Sequence, residues 1–214
     1  IGMGCCVNIK IAEPMNKRET SLSVRLKLIG RRKIKIYRRC IHVIRKANEE
    51  DITAIVETYR ELLIYEQQFG SNSNWKLDVY PTSVVPKSKI PTGTMYVLEE
   101  NGEVCASMVL NHEQADEYAE IEWQYPGGKE DVLVIHTLCI PPRKAGHGYG
   151  HQMVEYAKHY AEKNGCMVIR IDTYAHNEPA KRLYLNNGFR IAGYGRILLQ
   201  GLIEEEQVYL ECEV

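Results

Sequence analysis

The chain has 214 residues, of which 44% are hydrophobic and 26% charged, and its net charge is −1. These values are typical of one globular domain of ordinary size with a proper core. No run approaches the roughly 18 apolar residues of a transmembrane helix. The seven cysteines form no C-x-x-C pair, so we expect free thiols in a reducing cytoplasm rather than disulfides or zinc.

Charge is distributed unevenly along the chain. Residues 1–40 carry 11 Lys and Arg against 2 acidic residues, and the remainder is acidic in balance. A basic arm of this kind can tether a protein to nucleic acid or a membrane. The favoured interpretation is a disordered leader or residues not native to the domain, with neither nucleic acid nor membrane as a partner. We therefore predict an extension over 1–40 and one domain over 41–214.

The domain is predicted to begin with a strand and a helix. Ile41–Ile44 is mostly hydrophobic and is followed directly by charged residues, which indicates the first strand. Asn48–Asp51 then supplies a cap and acidic residues for a helix whose apolar face begins at Ile52. The Ser, Asn and Pro content of residues 70–94 predicts a long irregular segment.

A hairpin and a further strand are predicted next. Asn101-Gly102 is a strong hairpin signal between Met95–Leu98 and Val104–Leu110. Tyr118–Tyr125 is interpreted as another strand or strand edge, and its aromatic residues are candidates for the wall of an acceptor pocket.

The second half of the domain is built around a buried strand. Val132–Ile135 is an unbroken apolar run, which suits a strand covered on both faces. A glycine-rich turn over 140–150 follows, and then a helix that stops near Gly165. The remaining predicted elements are a strand, a short helix and two closing strands, at Met167–Thr173, after Asn177, at Arg190–Arg196 and at Gln207–Glu213.

Three alternate glycines stand between that strand and its helix. Gly146, Gly148 and Gly150 let backbone amides approach a ligand without Cβ interference. Amides at a helix N-terminus, aligned with the helix dipole, form an anion site. The amides of residues 145–150 are therefore predicted to hold a phosphate. On the glycines alone, a tight turn without any ligand remains the alternative.

A dinucleotide-binding fold is the rival interpretation. Asp172 closes the next strand 22 residues after Gly150, near the expected position of an acidic ribose partner. However, the glycines are spaced G-x-G-x-G rather than G-x-G-x-x-G, and two prolines separate them from the strand. Only one strand–helix–strand unit is evident, whereas a dinucleotide fold repeats it.

The segment after the next strand decides between these interpretations. Asn177–Phe189 has the sequence N-E-P-A-K-R-L-Y-L-N-N-G-F. It resembles the motif N-x-x-A-x-x-L-Y-x-x-x-G-F of the Gcn5-related N-acetyltransferase (GNAT) superfamily. The resemblance extends from about Ile41 to Tyr194 and is weaker beyond.

The family's other motif, V-x-P followed by R/Q-x-x-G-x-G/A, is similar to the glycine turn. Ile140 aligns with the valine, and Gly148 and Gly150 align with the last two glycines. Ala145 then occupies the position where the family usually has Arg or Gln. An alternative register begins the motif at Arg143, which with Lys144 is also a candidate for the outer phosphate of coenzyme A.

The resemblance implies the fold and the cosubstrate. The fold class is α/β (α+β), with a mixed, mostly antiparallel sheet splayed at its central strands and helices on both faces. Acetyl-CoA is the implied cosubstrate, and the Leu138 amide is the candidate for polarising its thioester carbonyl. The implied cofactor-binding residues are Leu138, Cys139, Ile140, Ala145, Gly146, His147, Gly148, Tyr149, Gly150, His151 and Asn177.

Two residues are candidates for proton transfer. A phenol such as Tyr184, with a pKa of ~10, can donate to a thiolate whose thiol has a pKa near ~8.5. A buried tyrosine would usually be structural, and only its place in the motif favours catalysis. His136, four residues before Ile140, is the candidate general base, although such a histidine is often structural. Glu120 and Glu122 are its competitors.

Two other chemistries are disfavoured. His147 and His151 stand four residues apart, but no third metal ligand is evident, so no metal is predicted. Cys139 lacks a positioned base, so it is interpreted as a small packed residue rather than an acyl-enzyme nucleophile.

The sequence therefore predicts an acyl-CoA N-acyltransferase. It would move an acetyl group from acetyl-CoA to a primary amine of an unidentified small-molecule or peptide acceptor by direct attack. A non-catalytic acyl-CoA-binding sensor or interaction module on the same fold is the alternative. Tyr184 and Asn177 favour the enzyme, because a pure binder needs no proton donor there. A homodimer is an open alternative to the monomer.

Overall fold

A seven-stranded, mostly antiparallel sheet forms the centre of the protein, whose computed structural model describes residues 42–214. The predicted extension over 1–40 and Ile41 lie outside the described residues. The strands are β1 (His42–Lys46), β2 (Met95–Glu100), β3 (Glu103–Asn111), β4 (Val132–Cys139), β5 (Val168–Tyr174), β6 (Arg190–Leu199) and β7 (Ile203–Glu213). Their order is β1-β2-β3-β4-β5-β7-β6, and the β4–β5 pair is parallel.

Helices cover both faces of the sheet, as predicted. They are α1 (Ile52–Phe69), α2 (Val84–Lys89), α3 (Tyr149–Lys163) and α4 (Glu178–Asn186). Leu133 and Ile135 of β4 pack with residues of α3 and α4, on what we call the α3 face. Val97 and Val109 pack with Ile55 of α1, on the opposite α1 face. Side chains alternate between these faces along each strand.

The predicted capping segment leads into α1 through a 3₁₀ turn over Glu49–Asp51, and Asn48 caps that turn. The Asn48 side chain accepts a hydrogen bond from the backbone of Glu50, and Asp51 Oδ2 accepts one from the Asn48 amide at 2.8 Å. Arg45 of β1 donates to both oxygens of Asp51 at 2.7 and 2.8 Å. This bidentate pair joins the first strand to the first helix.

The long irregular segment predicted over 70–94 contains one helix that the sequence did not indicate. Helix α2, of six residues, lies within it. Such a helix is too short to show a helical period in the sequence. Pro86 near its start is compatible with a first helical turn, where no intrahelical partner awaits its missing N–H.

The prediction of a strand over Tyr118–Tyr125 is wrong. A 3₁₀ helix spans Asp116–Glu120, and an irregular chain follows it. Gln124 and Tyr125 donate their amides to the carboxylate of Glu211 at 2.9 and 3.1 Å, rather than to a neighbouring strand. The alternating aromatic residues resembled a strand because several of them do pack on the sheet.

The last two strands are longer than predicted. They form a hairpin that reaches Leu199 and restarts at Ile203. The acidic run Glu204–Glu206 resembled a loop, yet only its middle residue turns inward, which is strand alternation. Four cysteines in the described part of the chain are buried free thiols: Cys105, Cys139, Cys166 and Cys212. None of the helices in residues 42–214 combines the length and apolar character needed to cross a membrane.

Candidate active site

The two central strands separate midway along the sheet. β4 and β5 pair only between Val132–Val134 and Val168–Arg170, although both strands continue further. This confirms the predicted splay. The strands leave a gap at their carboxyl ends, between His136 on one side and Asp172 on the other.

A β-bulge shapes the β4 side of the gap. Val109 of β3 pairs with His136 and Ser107 pairs with Cys139, so Thr137 and Leu138 together stand opposite one residue. Thr137 has a φ of 49°, in the left-handed region. Because a bulge leaves its extra residue outside the regular ladder, the chain at Thr137 and Leu138 departs from the regular pairing with β3 beside the gap.

The glycine turn presents a row of unused donors. The amide of Ala145 was predicted to be among the free donors. It instead donates to the Pro142 carbonyl at 3.0 Å. The next amide that bonds within residues 42–214 is that of Gln152, which donates to Gly148 at 3.1 Å. The free amides are therefore those of residues 146–151, at the N-terminus of α3, where the helix dipole adds positive potential.

The glycines of this turn serve two different purposes. Gly148 has a φ of 77° and starts α3, and a Cβ there would meet no atom within 4 Å. The space above its amide is therefore open. Gly150 instead permits close packing, because a Cβ there would lie 3.0 Å from Leu183 of α4 and 3.2 Å from Ile140.

The two histidines of the turn have protein partners. His147 Nδ1 lies 3.0 Å from the Ala145 carbonyl, and its ring stacks on Tyr149 at 5.5 Å. His151 Nδ1 lies 2.5 Å from Asn187 Oδ1. Within the described residues no group of three His, Cys, Asp or Glu is placed to hold a metal ion.

The basic pair beside the turn is neutralised by acidic residues. Arg143 pairs with Glu61 and, at 2.9 Å, with Glu103. Lys144 also pairs with Glu103, at 2.7 Å. An outer phosphate would therefore have to displace a carboxylate to reach either side chain.

Helix α4 carries two of the predicted residues. Asn177 caps it by accepting a hydrogen bond from the Ala180 amide at 3.2 Å, as predicted. Tyr184 is 3% exposed and packs beside Phe189 on the α3 face. Burial and the charge of Asp172 raise the pKa of Tyr184 above its usual value. The phenol therefore keeps its proton at neutral pH, as a proton donor must.

His136 lies on the α1 face of β4. Its Nε2 is 2.9 Å from Asn111 Oδ1. Burial lowers the pKa of His136, and the charge of Asp172 opposes this only in part. The imidazole is therefore neutral at pH 7, the form that a general base needs. The competing carboxylates Glu120 and Glu122 are exposed at the surface.

Asp172 is the residue of this site that sequence reasoning missed. It lies on the α1 face of β5, and Oδ1 accepts a 2.6 Å hydrogen bond from Tyr118. Burial raises the pKa of Asp172, and its charge shifts the pKa of Tyr184 and His136. The sequence did contain a signal for this residue, because Arg170 and Asp172 place two charged side chains on one face of a central strand. The sequence pattern suggested only a ribose partner for Asp172.

Tyr80 is a second residue that the sequence did not indicate. Its hydroxyl lies 2.6 Å from Thr137 Oγ1, at the bulge. Burial raises the pKa of Tyr80 to about 12. Because it comes from the segment predicted to be irregular, only the folded chain brings it to β4.

Cys139 occupies a packed position. It is 0% exposed on the α1 face, and its Sγ lies 3.9 Å from the Thr58 carbonyl. Burial raises the pKa of the Cys139 thiol to about 12. A thiol that keeps its proton is a poor nucleophile, which supports the interpretation of a packing residue.

Comparison with known proteins agrees with this geometry. Residues 52–189 match the model of the Acetyltransferase (GNAT) family. The uncharacterized N-acetyltransferase YhfO of Bacillus subtilis is 28% identical over 87 residues, which cover 39% of this chain and 58% of that protein. The chain thus matches less than two thirds of that relative's length.

Solved structures share the fold. A GNAT-family acetyltransferase from Streptococcus agalactiae matches with a TM-score of 0.67 and 19% identity, over 81% of this chain and 95% of that one. YncA of Salmonella typhimurium, solved with its cofactor acetyl-CoA, matches with a TM-score of 0.57 and 17% identity, over 80% and 93%. At such identities these likenesses show the fold alone. The family match covers more than half of the sequence, and the chain belongs to the GNAT acetyltransferase family.

Proposed function

We propose that this protein is an N-acetyltransferase that moves an acetyl group from acetyl-CoA to a primary amine by direct attack. One observation carries the proposal. The row of unpaired amides at residues 146–151 follows directly on the strand that borders the open gap. A phosphate-bearing ligand held at the turn can therefore extend its other end along the gap.

The turn fits a diphosphate. Its free amides are donors for phosphate oxygens, and the dipole of α3 favours negative charge there. Glycine at 146 and 148 leaves open space above them, since a Cβ at either position would meet no atom within 4 Å. The amide-rich pantetheine arm can pair with the free edge of β4 much as an added strand would. YncA, a protein of the same fold, holds acetyl-CoA.

The residues at the gap support the chemistry of transfer. The amine nitrogen attacks the thioester carbonyl carbon, whose oxygen is polarised by the Leu138 amide. The carbon–sulfur bond breaks, and Tyr184 gives its proton to the departing thiolate. His136 takes one proton from the ammonium form of the acceptor, directly or through water, which frees the lone pair for attack, and releases this proton to solvent. The nitrogen loses its second proton to solvent as the intermediate collapses, and Tyr184 is reprotonated from solvent. The products are an amide and free coenzyme A, with one proton released overall from the ammonium form of the amine.

The experiment is an assay of free thiol release from acetyl-CoA against a panel of primary amines, small molecules and peptides. We expect release that depends on the amine, and a mass increase of one acetyl group on that amine. If acetyl-CoA raises the melting temperature but no amine triggers release, the chain is an acyl-CoA-binding module instead. If acetyl-CoA causes no thermal shift, the proposal is wrong.

A further inference from the structure

Asn111 and His136 are diagonal neighbours on the α1 face of the sheet. Across β3 and β4, Asn111 pairs with Val134 and His136 pairs with Val109, and side chains paired in this way share a face. Asn111 Oδ1 lies 2.9 Å from His136 Nε2. Because Asn111 is only 8% exposed, water competes little for this hydrogen bond. The two side chains therefore form a largely shielded pair beside the gap.

A backbone amide fixes which way the Asn111 side chain is turned. The Glu113 N–H donates to Asn111 Oδ1 at 2.9 Å. A backbone N–H can only donate, so the atom that it meets must be the side-chain oxygen of Asn111 and not its NH2 group. The reversed amide would place two donors against each other. The oxygen is therefore also the atom that faces His136.

The orientation of Asn111 determines the tautomer of His136. An amide oxygen can only accept, so Nε2 of the imidazole must carry the proton of this hydrogen bond. In a neutral imidazole the lone pair is then on the other ring nitrogen, Nδ1. Within residues 42–214, Nδ1 has no partner at hydrogen-bonding distance and angle, and it is not among the polar side-chain atoms that are sealed from solvent without a partner. The lone pair is therefore accessible.

Charged side chains from three elements also act on this imidazole. Burial lowers the pKa of His136, and so does the charge of Lys89 on α2. The charge of Asp172 on β5 and the charge and backbone of Glu113 after β3 act in the opposite direction. Lys89 and Glu113 pair with each other. Asn111 differs from all of them, because it bonds the ring directly and adds no charge.

We propose that Asn111 is a positioning residue that holds the Nε2–H tautomer of His136, so that Nδ1 is the atom that takes the proton from the acceptor amine. This inference rests on the proposed function, because it names the atom that performs a proton transfer of that reaction. Nε2 keeps its proton throughout, and the proton that Nδ1 takes from the ammonium passes to solvent. An amide suits this role, since a carboxylate in its place would favour the imidazolium.

The first test is Asn111→Asp, which keeps both hydrogen bonds. A carboxylate oxygen also accepts from the Glu113 amide and from Nε2. Its negative charge should raise the pKa of His136 by about one unit or more. The acidic limb of the kcat/KM profile should therefore move to higher pH by the same amount, while the rate above the limb stays close to that of the wild type. A pH–rate profile from thiol release would measure both.

The second test is Asn111→Leu, which removes the acceptor at nearly constant size. The imidazolium loses a hydrogen bond that stabilises it, so the acidic limb should move to lower pH. The ring is no longer oriented, so kcat above the limb should fall about tenfold, the effect of one lost hydrogen bond. The KM of acetyl-CoA should stay unchanged. A merely structural role would lower the rate without moving the limb in opposite directions in the two variants.

A matched control separates the direct bond from general charge. Asn164→Asp makes the same change of amide to carboxylate at an exposed residue that ends α3, on the other face of the sheet. It should leave the acidic limb in place. Thermal unfolding of each variant would check its folding, and Asn111→Asp tests the proposal even where Asn111→Leu fails to fold.

Nitrogen NMR of the free protein determines the tautomer without turnover, with His136→Asn identifying the resonances of His136. Above the limb we expect a protonated Nε2 and an unprotonated Nδ1. These proton positions, with a pKa that Asn111→Asp raises but no thiol release from any amine, would support the positioning of His136 and overturn the proposed function. Acetyl transfer with a neutral His136 protonated at Nδ1, or with a limb that Asn111→Asp leaves in place, would overturn this inference alone.

Discussion

Tyr184 is the proposed proton donor, and it is at the same time a packed core side chain. Its ring lies in the core of the α3 face, and its raised pKa keeps the phenol protonated. We expect Tyr184→Phe to keep the packing and lose the proton donor, so kcat should fall by about 10²–10⁴, the usual contribution of a general acid. The affinity for acetyl-CoA should stay nearly unchanged.

Assays of thiol release would measure kcat, and calorimetry would measure the affinity for acetyl-CoA. Tyr194→Phe is the control, because Tyr194 is a tyrosine of β6 that is 53% exposed. Unimpaired turnover of Tyr184→Phe would remove Tyr184 as the acid.

The lowered pKa of His136 leads to a prediction about how the reaction rate depends on pH. Burial lowers its pKa, so the neutral, proton-accepting form persists to below the ordinary histidine value of about 6.5. As the pH falls through this lowered pKa, the imidazole becomes protonated and kcat/KM should fall. A pH–rate profile should therefore show an acidic limb below about 6.5.

The limb should disappear, together with most of the activity, in His136→Asn. It should persist in His159→Asn, because His159 is exposed on α3. An acidic limb that survives replacement of His136 would assign the base elsewhere.

At the scale of elements, Gly150 joins α3 to α4 and to the end of β4. A methyl group at this position would press on Leu183 and Ile140. We expect Gly150→Ala to lower the free energy of unfolding by about 1–3 kcal/mol, the usual cost of overpacking. Chemical denaturation would measure it.

The second substitution Leu183→Ala makes room for that methyl group. The double variant Gly150→Ala, Leu183→Ala should therefore lose less stability than the sum of the two single variants. Additive losses would show that Gly150 matters for some reason other than this contact.

Glu211 fastens the segment after the 3₁₀ helix Asp116–Glu120 to the sheet. Its carboxylate accepts two backbone amides and pairs with Arg190. Glu211→Gln weakens all three interactions, so we expect a loss of about 2 kcal/mol in the free energy of unfolding. Urea unfolding would test this, with the exposed Glu213 of the same strand, changed to Gln, as the control. Equal stability of both variants would contradict the role.

At the scale of the whole molecule, a ligand that binds only the folded chain must stabilise it. Acetyl-CoA at 100 times its Kd should add about 2.7 kcal/mol. For a domain of this size that is a rise in melting temperature of roughly 5–10 °C. Thermal unfolding with and without acetyl-CoA would measure it, and Tyr184→Phe should show the same rise as the wild type.

Local patterns carried most of the prediction of fold and cofactor site. The hairpin at Asn101-Gly102, the buried run of β4, the glycine turn and the Asn177 cap all depend on neighbouring residues, so they were visible in the sequence. One helix was missed and one segment was predicted wrongly, for the same reason. Helix α2 is too short to show a period, and the backbone of Gln124 and Tyr125 is held by Glu211, which lies far away in the sequence.

The sequence by itself determined the family resemblance, the turn that offers its amides, and Tyr184 on the following helix, because each is a short-range pattern of residues. Only the tertiary structure decided which side chains surround the gap. Asp172 meets Tyr118, and Tyr80 meets Thr137, across 54 and 57 residues of chain. Such contacts depend on strand register, on the bulge in β4 and on long loops folding over the sheet, and no local pattern encodes these.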